Sequence, residues 1–359
     1  MNIDFSCLKQ KEILIYDGAS LPALEFIFKK KNYNIFFNRG EKINFWIFLK
    51  VFLKFNFKNY KALKKNYKIQ YIKKCSPKLI ITYIDNNPAF YELKKLFPQI
   101  KFISIQNGIK LSTDLSIFKK KSYCCDYFFI FNDFYKKYFS RVIKSNFISH
   151  GSLKMNYIKK QNYKKKNKVL FISQTGVQSN YLDQTEKILI KKIFEICKHE
   201  SIGFNILCKK NVKNLIINEI KDIKPIDILE SKSTLASYNY IQKYNLKIFM
   251  NSTLGFEALS IGEKCISFPL GSIKKDKIRF NLNKKIEKFG YPSIMPNEGY
   301  CWLNNFDTEK LKEKIIYLFN LNRLQWNKMH TKEMKNKMMI YDNNNSKLKK
   351  ILKKIKIKI

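Results

Sequence analysis

The residues whose types and spacing best suit chemistry lie in the stretch 247–269, KIFMNSTLGFEALSIGEKCISFP. Ile248 to Met250 predicts a strand and Asn251-Ser252-Thr253-Leu254-Gly255 a turn. A short helix then runs through Ile261, and Gly262 stops it before a second apolar strand at 265–268. Ser252 or Thr253 can cap this helix, and Gly255 leaves the first turn open to close approach by a ligand. Unpaired amide hydrogens and the positive end of the helix dipole meet there, which suits the turn to a phosphate or diphosphate. Glu257, two residues into the helix, can accept hydrogen bonds from a ribose diol. The same residues also fit a structural role, with Ser252 and Thr253 only capping and Glu257 only complementing the dipole.

Such a turn needs a parallel sheet to hold it, and the chain supplies alternating strand and helix patterns on both sides of one linker. A strand at 12–17 ends in Asp17-Gly18-Ala19-Ser20, and a helix is predicted at 21–31 and a strand at 33–37. A long helical region follows at 43–73. The strand 77–85 ends in Asp85-Asn86-Asn87, with Pro88 opening a helix at its favoured first position. The strand 101–106 closes on Asn107-Gly108, and strands at 127–132 and 146–149 flank a helix at 133–144. Polar residues therefore collect at strand C-terminal ends: Asp17, Asp85, Gln106 with Asn107, and His150. Open parallel sheets bind ligands at those ends. The charged run 159–168 reads as the linker. Beyond it, a strand at 169–173 ends in Gln174-Thr175-Gly176, a helix spans 183–199, and a strand at 204–208 ends in Lys209-Lys210. A strand at 226–229 and a helix at 234–244 lead into the stretch at 247–269. The expected fold is α/β, two Rossmann-like doubly wound domains facing a cleft, with boundaries 1–158 and 168–324 and a helical tail at 325–359.

Composition narrows the function. The 359 residues carry a formal charge of +42, almost wholly from lysine, with Arg39, Arg141, Arg279 and Arg323 the only arginines. Heavy use of Asn, Ile, Tyr and Phe beside lysine points to AT-rich codons rather than selection for a polyanion. The lysines are scattered, whereas a nucleic-acid binder concentrates charge in a recognisable module. Attraction to an anionic membrane surface needs only smeared charge. In the region 43–73, INFWIFLKVFLKFNFK carries Lys50, Lys54 and Lys58 as one basic stripe beside an aromatic surface, the pattern of a helix lying on a membrane or gripping a lipid-linked substrate. The alternative is a core helix with a solvated lysine edge. The eight cysteines form no CxxC pair, so neither a disulfide framework nor a zinc site is expected, and with three histidines a metal centre is not. The N-terminus lacks a signal-peptide pattern and no stretch has the length of a membrane span, which together point to a cytoplasmic protein, peripheral at most. GxGxxG, GxxxxGK[ST], HExxH and GxSxG are absent.

Ser252-Thr253-Leu254-Gly255-Phe256-Glu257-Ala258-Leu259 with Gly262-Glu263-Lys264 resembles the donor-binding segment of bacterial surface-carbohydrate biosynthesis proteins with the two-domain GT-B glycosyltransferase fold. Ile84-Asp85-Asn86, Ile105-Gln106-Asn107-Gly108, His150-Gly151-Ser152-Leu153-Lys154 and Phe289-Gly290-Tyr291-Pro292, with Gly299 and Trp302, agree in the same order, so the resemblance spans residues 12–345. It implies transfer of a sugar from a nucleotide-sugar substrate to a glycan or lipid-linked acceptor, without metal or other cofactor. Ser252, Thr253 and Gly255 would hold the diphosphate and Glu257 the ribose, with Gln174, Thr175, Lys209 and Lys210 on the same side. Asp85, then Asp17, then His150 would serve as base, and Gln106, Asn107 and Gly108 would orient the acceptor or sugar. A nucleotide-sugar 2-epimerase and a polyol-phosphate transferase share the architecture. Polyol-phosphate transferases carry His-Gly where this chain has Asn107-Gly108. The non-enzyme alternative is a lysine-rich nucleic-acid or membrane-binding protein.

Overall fold

The structure is a computed structural model that describes all residues except 1, 30–31, 55–59, 120–121, 159–160, 162, 177–181, 183, 224–225, 232, 270–287, 294, 306, 334–337 and 359. Two compact units emerge: Met1–Asn107 with Leu115–Tyr157 and Asp342–Ile359, and Gly108–Asp114 with Ile158–Tyr341.

In the first unit the strands are β1 (Asn2–Asp4), β2 (Ile13–Tyr16), β3 (Tyr33–Phe36), β4 (Lys42–Asn44), β5 (Leu79–Thr82), β6 (Lys101–Ile105), β7 (Tyr123–Ile130) and β8 (Ile143–Ser149). Six of them form one sheet in the order β3-β2-β5-β6-β7-β8, parallel throughout. Ile13–Tyr16 and Leu79–Thr82 are buried at every residue, because a sheet covered on both faces requires continuous apolar strands rather than alternation. Sequence order reverses direction between β2 and β5, so their C-terminal ends flank the switch point where a crevice opens.

The second unit contains β9 (Lys166–Ile172), β10 (Gly203–Lys209), β11 (Asp227–Ser231), β12 (Tyr244–Phe249), β13 (Cys265–Ser267), β14 (Glu298–Gly299) and β15 (Trp302–Leu303). Their order is β11-β10-β9-β12-β13-β15-β14, parallel except for the antiparallel β14–β15 pair. Its switch point lies between β9 and β12.

Several boundaries differ from the sequence reading. The helix at 21–31 is regular only over Leu21–Leu24. The region 43–73 divides into the end of β4 and the helices Phe45–Lys54 and Tyr60–Cys75. β4 pairs with β1 in a separate two-stranded sheet, and the Asn44 side chain accepts the Ile47 amide, which starts the helix. Lys58 of the basic stripe lies outside the described residues. The helix at 133–144 stops at Phe139 because β8 begins at Ile143. β9 starts inside the lysine-rich run, at Lys166. The terminal region is not an independent tail: the helix Ser346–Lys354 places Leu348 and Leu352 among Ile13, Ile15, Leu79 and Ile81 of the first core. All eight cysteines are free thiols, and six are buried.

Candidate functional site

The turn after β12 sits where the topology of the second unit favours a ligand. The helix Thr253–Ser260 begins there, with Ser252 at the capping position in extended backbone and its hydroxyl making no capping bond. Thr253 Oγ1 instead accepts the Ile109 amide at 3.3 Å. The segment after Asn107 thus lies against the helix start, and a Cβ built on Gly108 would stand 3.5 Å from that hydroxyl. Gln174, at the end of β9, accepts the Asn251 amide with its side-chain oxygen at 3.2 Å. The two strand ends that border the switch point are therefore tied together by a side chain.

Gly255 has a reason other than ligand access. A Cβ there would fall 2.1 Å from the Phe249 ring, so the glycine lets the helix close onto β12. Phe249 packs on Phe256, Phe256 on Phe289 and Phe289 on Trp302 at centroid separations of 5.1, 5.5 and 4.9 Å. The first pair is edge-to-face and the other two are stacked, both favoured ring geometries, and together they hold the helix against β12 and β15.

Glu257 is buried, and Tyr238 donates its hydroxyl to Glu257 Oε1 at 3.1 Å. Thr175 donates to Glu186 Oε2 at 3.2 Å, and both residues are buried. Lys209 and Lys210 are exposed at the end of β10. Because β9 lies between β10 and β12, two strand spacings of about 4.8 Å set them roughly 10 Å from the helix start.

In the first unit Asp17 closes β2 with φ 75°, a left-handed backbone that costs a non-glycine residue about 1–3 kcal/mol. Its Oδ1 accepts the Ala19 amide at 3.1 Å, and Oδ2 pairs with Arg39 Nε at 3.3 Å. The Ala19 amide and the Arg39 guanidinium, the latter 58% exposed and so screened by solvent, both hold this backbone in place. Ser20 Oγ receives the Tyr83 amide at 2.9 Å and joins the ends of β2 and β5. Lys68, also buried, donates to Tyr16 Oη at 3.0 Å, and burial pushes its ammonium down to about 8. Asp85 is fully buried, with Tyr91 donating to its backbone carbonyl at 2.7 Å. Gln106 is likewise buried, its side-chain oxygen accepting the Phe131 amide at 2.9 Å.

His150 has a different setting from the other strand-end residues. Its Nε2 faces Asn156 Nδ2 at 3.4 Å and Asp342 Oδ2 at 3.7 Å, and Asn156 Nδ2 reaches the His150 carbonyl at 2.8 Å and Asn345 at 3.1 Å. Burial pushes the imidazole down to about 4 against the opposing pull of Asp342. The ring anchors the returning segment. Among the described residues, no group of three or more His, Cys, Asp or Glu is placed to hold a metal ion.

A family model described as "putative O-antigen biosynthesis protein" matches residues 103–356, most of the chain. The chain belongs to this O-antigen biosynthesis family. Membership places it in O-antigen biosynthesis. Comparison with curated protein sequences gives no match. Among solved structures, UDP-GlcNAc 2-epimerase from Neisseria meningitidis is similar at TM-score 0.54 and 13% identity, covering 96% of this chain and 100% of the other. The Methanocaldococcus jannaschii UDP-GlcNAc 2-epimerase gives 0.53 and 14%, covering 96% and 99%. The wall teichoic acid polymerase TagF gives 0.51 and 11%, covering 96% and 88%. The fold of this family member is accordingly of the GT-B type.

Within the O-antigen family member, the second unit brings Gln174, Ser252 and Thr253 to the switch point between β9 and β12, with Thr175 and Glu257 buried. Lys209 and Lys210 lie exposed at the end of β10, two strands away from β12. Part of the motif-bearing stretch proves to be scaffold. Glu263 binds Lys165 at 2.7 Å and Lys247 at 2.5 Å, and Lys264 donates to the carbonyls of Phe319 and Leu321. Sequence reasoning passed over Arg39, Lys68, Tyr238 and Glu186. Arg39 carried a signal, being one of four arginines and following a strand end. Tyr238 and Glu186 lie in helices whose faces cannot be assigned to a crevice until the sheet order is known.

Proposed function

We propose that the protein is a glycosyltransferase that moves a sugar from a nucleotide-sugar donor to a surface-glycan acceptor, such as lipopolysaccharide or capsule. The observation that carries this reading is the helix start at Ser252 and Thr253, set at the switch point of a Rossmann-like sheet inside an O-antigen family member. A departing nucleoside diphosphate needs its charge met, and helix amides meet it without a metal. Glu257, held by Tyr238, accepts the ribose hydroxyls. On the first unit Asp85 is the leading base, with Asp17 second and His150 third.

A second reading is a nucleotide-sugar 2-epimerase. It draws on the full-length overlap with two UDP-GlcNAc 2-epimerases, which were solved with UDP-GlcNAc or UDP-GlcNAc and UDP. A polyol-phosphate transferase is a third, since TagF was solved with CDPG. A thermal-shift screen against uridine, cytidine, guanosine and thymidine diphosphates and their sugars tests the donor site, because a nucleotide that binds the folded protein raises Tm increasingly as its concentration exceeds Kd. Incubation with labelled nucleotide sugar alone then separates the classes. An altered sugar without acceptor would establish the epimerase, and an unaltered one is required by the transferase. Absence of any shift across the panel would defeat both.

A further inference from the structure

We propose that the first unit carries a docking surface for an anionic lipid bilayer, built from the strand β1, the end of β4 and the helices Phe45–Lys54 and Tyr60–Cys75. The inference is independent of the reaction assigned above. Exposed large apolar side chains concentrate here: Ile3, Phe5, Trp46, Phe52, Leu53 and Tyr60. Of the ten residues in FWIFLKVFLK, only Ile47 and Val51 are buried. The core-helix alternative required the apolar face to be covered. Instead Leu53 is 76% exposed and Trp46 52% exposed.

The patch is ordered by its own contacts. Trp46 Nε1 donates to the Phe5 carbonyl at 2.8 Å, and the Phe45 ring sits 5.0 Å from Phe5 and 5.3 Å from Trp46. β1 and β4 pair to hold the two segments side by side. A patch of this kind on a polar chain marks a surface that is covered in use.

Charge identifies what covers it. Between Lys42 and Cys75 the sequence has ten lysines and no acidic residue. Lys50 and Lys54 stand exposed on the same helix as Trp46 and Leu53, and Lys61, Lys64 and Lys65 stand exposed on the next. Two carboxylates lie nearby: Asp4 is paired with Lys42 at 3.1 Å, and Glu41 accepts the Arg39 amide at 3.1 Å. A protein partner would need many acids set among apolar groups, whereas a bilayer of anionic lipids offers negative headgroups above hydrocarbon over any area. A helix lying in the plane of that boundary buries its aromatic and leucine side chains while its lysines reach the headgroups. Among the described residues no helix is long and apolar enough to cross a membrane, which leaves in-plane attachment as the geometry.

The test is vesicle flotation with the full chain, using phosphatidylcholine alone and phosphatidylcholine mixed with phosphatidylglycerol. Binding is expected to the mixed vesicles and to weaken as salt is raised. Trp302 and Trp326 are buried, so a blue shift on binding reports Trp46 and should vanish in Trp46→Phe. The double variant Phe52→Ser, Leu53→Ser should lower partitioning by about tenfold or more, while Leu324→Ser, 81% exposed elsewhere on the surface, should not. Circular dichroism confirms that the variants fold. The proposal is overturned if the mixed vesicles fail to float the protein, or if the double variant binds like the parent. It is also overturned if light scattering shows a dimer that the double variant dissolves without any vesicle binding, since a second copy then occupies the patch.

Discussion

At the scale of single residues, Glu257 is the position where a structural and a functional role give opposite readouts. Glu257→Gln removes a charge-assisted acceptor worth about 1.5–3 kcal/mol, so the donor KM should rise by roughly ten- to a hundredfold with Tm nearly unchanged. Tyr238→Phe, which loosens the carboxylate without removing it, should raise KM by a smaller factor. A fall in Tm at constant KM would mark Glu257 as a helix residue only. Steady-state kinetics beside calorimetry make the distinction. His150 gives a pH prediction. Its folded value near 4 lies below the usual 6.5, so between those values the unfolded chain binds a proton that the native state refuses. Stability therefore declines as pH falls from about 6.5 to about 4, by roughly 3 kcal/mol from this group. Denaturant titrations across that window should show a shallower dependence for His150→Asn than for the parent. Asp17, Asp85 and His150 were visible in sequence as polar residues at strand ends. Their partners were not, because Arg39, Tyr91 and Asp342 reach them only through tertiary folding.

Among the secondary-structure elements, the helix Thr253–Ser260 shows how a glycine can be recognised for one reason and retained for another. Replacing Gly255 by Ala gains up to about 1 kcal/mol of helix propensity. It also drives a methyl into the Phe249 ring, and overpacking of that kind costs about 1–3 kcal/mol. The clash should win, lowering the stability of the second unit, and the companion change Phe249→Leu should restore part of the loss. Chemical denaturation of the single and double variants measures both. The alternation of buried strands with helices was readable because a covered parallel sheet demands uninterrupted apolar runs such as LIIT and ILIY. The β1–β4 pair was not readable. Each strand has three residues, and their pairing spans some forty positions with no turn signal between them. The helix expected at 21–31 is regular only over Leu21–Leu24 and passes into turns, with the Ile27 and Phe28 amides both bonded to the Leu24 carbonyl, while Asn44 supplied a helix start that the aromatic pattern concealed.

For the molecule as a whole, two sheets of the same class were expected from the restart of the alternation after the lysine-rich run. What composition and periodicity left out was the path of the chain's later residues. Ser346–Lys354 has the stripe of a surface helix, and no local feature says which unit it serves. The asparagines and Asp342 before it decide this by bonding to His150 and Asn156. Leu352→Ala should cost about 2–5 kcal/mol, and the loss should fall on the first unit, with hydrogen exchange quickening in β2 and β5 while β9 and β12 keep their protection. The same outcome in both units would mean that they unfold together.

The contribution of Leu348, Leu352 and Ile357 to the core around Ile13 and Leu79 also bears on the order of events during translation. A nascent chain that has emerged only as far as residue 157 still lacks side chains needed to fill its first sheet's packing, whereas the second unit draws only on Gly108–Asp114 and Ile158–Tyr341. The first unit must wait, exposed to chaperones, until residues synthesised some two hundred positions later arrive.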